Sequence, residues 1–190
     1  MFTTSGLHVD QAPPLSIPMR FFGSAPLFMI LGGMALAGWG AALLGYPLLG
    51  ETVATVHLAT LGWIAMVMFG AMYQMIPVLA GVPVPWLGLA PWVHGLMVAG
   101  VISLFVSIGM NGHRWFYITA SLGLGGGVML FLVPIAVALS QAPSRHPTVW
   151  AMRLAALCLL ITLGFGAIFL GEYAHGFLPL DREAMVGSHL

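Results

Sequence analysis

The chain has 190 residues, of which 60% are hydrophobic and 5% carry a formal charge. A soluble globular domain holds about a quarter charged residues, so these five arginines and five carboxylates, with no lysine, are too few for a surface that faces water. Their balance excludes a basic nucleic-acid face and an acidic solvating tail. The composition is that of an all-α integral membrane protein whose first partner is the lipid bilayer.

Residues 1–20 contain Asp10, Pro13, Pro14, Pro18 and Arg20 and no apolar core. A secretory signal needs a basic start and a short apolar h-region, so this stretch reads as an extramembrane N-terminal arm. Crossing about 30 Å of hydrocarbon takes about 20 apolar residues, and five runs are long enough. The first is Phe21 to Gly45, closed by Tyr46 and Pro47. The second, Val53 to Leu79, opens after Glu51 and Thr52 and ends before the Pro83–Pro85 hinge. The third is Pro91 to Met110, its proline suited to a first helical position. The fourth is Trp115 to Leu139, and the fifth is Val149 to Gly171. Residues 172–190 form an outer loop and, over Asp181 to Leu190, the start of an incomplete sixth helix. The residues from Glu183 onward cover only about 12 Å at a rise of about 1.5 Å each. The expected plan is therefore arm 1–20, five-helix transmembrane bundle 21–171, and loop with partial helix 172–190.

Tyr46, Trp86, Trp92, Trp115, Tyr117, Trp150 and Tyr173 fall near the predicted ends, where amphipathic rings prefer the interface. With the N-terminus inside, Arg20, Arg145 and Arg153 are cytoplasmic, against Arg114 and Arg182 outside. That bias orients the chain with a cytoplasmic N-terminus, and a bacterial inner membrane is the expected location. Gly123 and Gly127 form a GxxxG pair suited to close helix approach, and Pro77 and Pro134 should kink their helices. The lone Cys158 rules out an intrachain disulfide or a cysteine zinc site and reads as a small buried thiol.

Seven histidines are the informative residues. In this topology His8, His94 and His146 lie towards the cytoplasm, and His57, His113, His175 and His189 towards the outer side. His57 is about five residues into the second helix, roughly 7 Å below its start. A neutral imidazole at that depth needs a partner, which is either a carbonyl or hydroxyl of a neighbouring helix, or a metal or haem iron. The segment Glu51-Thr-Val-Ala-Thr-Val-His57-Leu58 is echoed in spacing by Glu183-Ala-Met-Val-Gly-Ser-His189-Leu190. Both enter the membrane from the same side, which would bring two imidazoles to matched depth. His113 and His175 lie in polar connections; Glu172 and His175 make an i, i+3 pair, a metal-ligand spacing, if the fifth helix reaches that far. His94 reads as interfacial. The candidate metal ligands are thus His57, His175 and His189. Leu61, Ile64, Met68, Met72 and Met75 fall within about 60° of the direction of His57. Such a stripe suits a thioether path for copper(I) or adaptable packing against a neighbour or a flat cofactor.

The run His57-Leu-Ala-Thr-Leu61-Gly62-Trp63-Ile-Ala-Met66-Val-Met-Phe69-Gly70-Ala-Met-Tyr73-Gln-Met-Ile-Pro77 resembles the second helix of membrane proteins related to subunit I of heme–copper oxidases. Those show a histidine, Leu-Gly-Trp or Leu-Gly-Phe, Phe-Gly, a tyrosine and a proline at these spacings. The membrane haem–copper proteins of the nitric-oxide response are a neighbouring group. The likeness covers residues 51–81 and is only topological elsewhere. It implies a haem, of the b type, near the outer surface with His57 as axial ligand, copper being the other metal to expect. The sixth helix of the family carries a functional histidine near its start, where His189 stands. The family's late helices, with their copper ligands and second haem ligand, have no counterpart here. The resemblance therefore implies a part of a longer protein, or a site completed by another copy or another membrane subunit, and no oxygen reduction by this chain alone.

Two other classes of function stay open. A small transporter or channel would line a polar path with histidines, but Thr60, Ser103, Ser107, Thr119, Ser121 and Thr162 are the polar groups the interiors offer. A non-catalytic structural subunit would pack against a larger complex. Soluble enzyme chemistry lacks a GxSxG nucleophile, a P-loop and an HExxH motif. The haem function further expects Gly62 and Gly70 to open a helix face to the flat macrocycle.

Overall fold

The computed structural model describes residues 7–45, 49–142 and 147–175, and among these it is all-helical with no strand. Five helices are long and apolar enough to cross a membrane: Ser16–Trp39, Gly50–Ala80, Leu87–Gly109, Arg114–Gln141 and Pro147–Glu172, the fifth continuing to His175. They are called here the first to fifth spans, and they form an all-α membrane bundle.

The first span starts at Ser16, five residues before the predicted boundary, and takes Pro18 and Arg20 into its opening turns. The prolines before Arg20 had suggested an irregular arm. A proline in the first turn of a helix removes an N–H that has no intrahelical acceptor anyway, so Pro18 does not stop it. The span ends at Trp39 instead of Gly45 because Gly40 turns the backbone to a φ of 58°. A single helical turn, Ala42–Gly45, follows.

The second span is continuous but not uniformly α. An α segment, Gly50–His57, passes into a π-helical stretch, Leu58–Ala65, and then into Met66–Ala80. Gly81, at a φ of 67°, ends it, its N–H bonding the Pro77 carbonyl at 3.0 Å. The third span likewise ends in a π stretch, Phe105–Gly109. The fourth runs unbroken over Arg114–Gln141 with Pro134 inside.

In hydrocarbon, helices gain little from hiding apolar surface and are held by close packing and interhelical polar contacts. The most extensive contact is between the third and fourth spans, and it is close. A β-carbon on Gly123 would lie 2.8 Å from Gly100 Cα and from the Leu96 carbonyl oxygen. The GxxxG pair therefore serves the close approach predicted for it, with Gly100 as the unforeseen partner. The first span lies along the second, and the start of the second packs on the end of the third. Phe21, Phe69, Tyr73 and Phe131 join the first, second and fourth spans, with the Phe69 and Phe131 rings stacked at 3.9 Å. The fifth span rests mainly on the fourth; only 6% of its apolar window is buried, against 50% in the fourth. Cys158 is exposed on it, which corrects the reading of a buried thiol. The predicted partial sixth helix, Asp181 to Leu190, lies outside the described residues.

Candidate functional site

His57 closes the α segment that opens the second span. Its Nδ1 lies 2.7 Å from the carbonyl oxygen of Val53, one turn back on the same helix. A carbonyl only accepts, so Nδ1 carries the proton and the lone pair of the neutral ring falls on Nε2. The carbonyl partner therefore comes from its own helix, where a carbonyl or hydroxyl across helices had been the expectation. The same bond also fixes the tautomer and ring direction that a metal-ligating histidine needs. Val53 and Leu61, a turn before and after His57, pack with Leu104 and Ile108 of the third span, Ala120 of the fourth and Leu170 of the fifth. The half-buried imidazole thus lies on the face where the end of the third span and the far end of the fifth converge.

Two π stretches border this turn. Leu58–Ala65 begins at the residue after His57, and Phe105–Gly109 packs against Gly50–His57. Contact there is close enough that a β-carbon on Gly50 would lie 2.6 Å from the Ile108 carbonyl oxygen, and one on Gly109 2.8 Å from Ala54 Cβ. Wide turns of this kind leave the i→i−4 bonding pattern and are frequent at functional sites.

The slot expected at Gly62 and Gly70 is filled. A β-carbon on Gly62 would meet the Phe28 ring at 2.5 Å, and one on Gly70 would lie 2.8 Å from the Phe22 ring and 3.0 Å from the Pro18 carbonyl oxygen. These glycines admit the first span, so a macrocycle would have to lie elsewhere. On the methionine stripe Ile64, Met68 and Met75 are exposed, while Met68 and Met72 border the fifth span. Leu61 and Met72 of the stripe pack against the core, while Ile64, Met68 and Met75 lie on the outer face.

The other histidines separate by role. The fifth helix extends through His175, so Glu172 and His175 are an i, i+3 pair on one helix. Glu172 is turned about 200° from Leu170, the residue that packs towards His57. His189 lies outside the described residues, as does the echo of the His57 segment that contains it. His113 is exposed and caps the fourth span, receiving the Trp115 N–H at a long 3.5 Å. His94 is more than an interfacial residue. Its Nε2 is 3.0 Å from Ser24 Oγ on the first span, and its ring meets Phe21 edge-on at 5.3 Å. Ser24 Oγ also lies 3.1 Å from the Arg20 carbonyl, which fits a hydroxyl that donates there and accepts from His94. No sequence motif announced that pair, because its members are 70 residues apart. At the same end His8 donates its backbone N–H to Val78 at 2.9 Å, and its ring lies over Gly81.

Among the described residues no three His, Cys, Asp or Glu side chains converge on a point that could hold a metal ion. Four of the polar groups of the interiors bond within their own helices. Thr60, Thr119 and Ser121 bond carbonyls one turn back on their own helices at 2.9 to 3.0 Å, and Ser107 bonds Leu104 at 3.0 Å. The chain matches none of the family models, curated proteins or solved structures with which it was compared.

Proposed function

We propose that the protein is a haem- or metal-binding membrane protein in respiratory electron transfer or nitric-oxide-related chemistry, with His57 as an axial ligand. The observation that carries this reading is the Nδ1 to Val53 bond at 2.7 Å, which puts the ring proton on Nδ1 and fixes the tautomer that an Nε2-ligating histidine would need. The resemblance of residues 51–81 to the heme–copper oxidase superfamily supports it. Haem needs one or two imidazoles from the protein, which His57 and one further histidine would supply. A b-type haem would supply reversible one-electron exchange at this end of the bundle. The chain's own residues supply the ligand, hold its tautomer and exclude water with Leu61, Leu104 and Ile108. His189, His175 or a histidine of another copy or subunit would take the opposite position. The location proposed is a bacterial inner membrane, with the N-terminus in the cytoplasm and His57 near the outer surface.

A reduced-minus-oxidised visible spectrum of the protein purified in mild detergent tests this. A haem band that disappears in His57→Ala and survives in His94→Ala is the expected result. No haem band after expression with ample haem, or a band indifferent to His57→Ala, removes the reading.

A further inference from the structure

The fifth span does not close fully on the second and fourth. Between them is a cleft of about 60 Å³, walled by Met68 and Met72 of the second span and by Ala155 and Ala156 of the fifth, with the stacked Phe69–Phe131 pair behind. It exists because two alanines stand where Met152, Leu159 and Leu163 fill the rest of that helix face. The aromatic pair, one ring from each neighbouring span, keeps the second and fourth spans from collapsing into the gap.

Its contents follow from size and chemistry. The walls are side chains of Ala, Met, Phe and Leu alone, so a water there would lack the two to four polar partners it needs. The volume of about 60 Å³ has room for a solute of a few heavy atoms. A small solute seated there meets wall atoms on several sides, and so gains more dispersion contacts than on a flat helix face. Two thioethers and two aromatic rings make those walls polarisable. Met68 is exposed and gives the cleft a mouth on the bilayer.

We propose that this cleft is a binding site for small uncharged apolar molecules, of the size of xenon or a diatomic gas, that enter from the hydrocarbon. The site stands whether or not a haem is bound at His57. The test uses the full chain in phosphatidylcholine nanodiscs with 13C-labelled methionine methyls under rising xenon pressure. Met68 and Met72 should shift along a saturating curve, while Met34 and Met129, which face lipid away from the cleft, drift linearly. Ala156→Leu fills the cleft and should abolish the saturating component. If that variant does not fold, Ala155→Val narrows the same space and should weaken saturation several-fold. Linear drift at all four methionines, or saturation that survives the filling substitution, overturns the proposal.

Discussion

Gly62 shows how one hydrogen in place of a methyl decides which helix lies beside the second span. The atoms nearest to a new β-carbon there are Cγ and Cβ of Phe28, the base of the side chain, so ring rotation gives no relief. Gly62→Ala should therefore cost about 1–3 kcal/mol through overpacking, whereas Gly33→Ala, with nothing within 4 Å, should leave stability unchanged. Thermal unfolding of both variants in one detergent makes the comparison. Tyr73 presents the opposite case: it is 1% exposed and its hydroxyl has no hydrogen-bond partner among the described residues. Removing an unsatisfied buried hydroxyl removes its desolvation cost, so Tyr73→Phe should raise stability by about 1–3 kcal/mol. A lowered unfolding midpoint would mean that the phenol has a partner. His57, by contrast, was legible in the sequence for the position it holds. Depth and scarcity of charge pick out an imidazole in a hydrophobic run, but nothing in a glycine's neighbours along the chain says that a phenylalanine 34 positions earlier will occupy its space.

Periodicity made the spans visible, and it also limited what could be said of them. A pattern read at the α-helical spacing cannot register the π stretches Leu58–Ala65 and Phe105–Gly109, because both remain apolar and continuous. Only the backbone pairing shows that the His57 turn is bordered by widened helix. The junction of the fourth and fifth spans was equally hidden. Arg153, counted from sequence as a near-terminal cytoplasmic charge, reaches back to the end of the fourth span. Its Nη2 and Nε donate to the Leu139 carbonyl at 2.7 and 3.2 Å, and Nη2 also reaches Ala142 at 3.3 Å. A positive charge suits the carbonyl end of a helix, and the guanidinium fork serves two acceptors where an ammonium would serve as one point charge. Arg153→Leu should thus lose about 1.5–3 kcal/mol of junction stability, and Arg153→Lys should recover only part of it. Hydrogen exchange in the last turn of the fourth span and the first turns of the fifth is the measurement. Equal exchange in all three proteins would show that the bonds contribute nothing.

At the scale of the molecule, five spans put the N-terminal arm and the connection between the second and third spans on one surface, and the connection between the third and fourth on the other. In a Cys158→Ser background, an impermeant maleimide should label Gly88→Cys from one side and Met110→Cys from the opposite side. The proposed orientation makes Gly88 cytoplasmic; labelling of both from one face would break the five-span arrangement. Ten formal charges in 190 residues determined the bilayer as solvent and the number of crossings, because a run of about 20 apolar residues has no stable alternative in water. The sequence by itself also determined the close glycine contact of the fourth span and the singular position of His57. What only the tertiary structure decided is how those crossings share their faces: Phe28 filling the Gly62 slot, His94 held by Ser24, the fifth span left at the margin with a cleft behind it. The reason is physical. Burial in lipid is dictated residue by residue by transfer from water, which composition reports directly. Packing between helices in lipid depends on the fit of side chains far apart in the chain, and no local pattern records that fit.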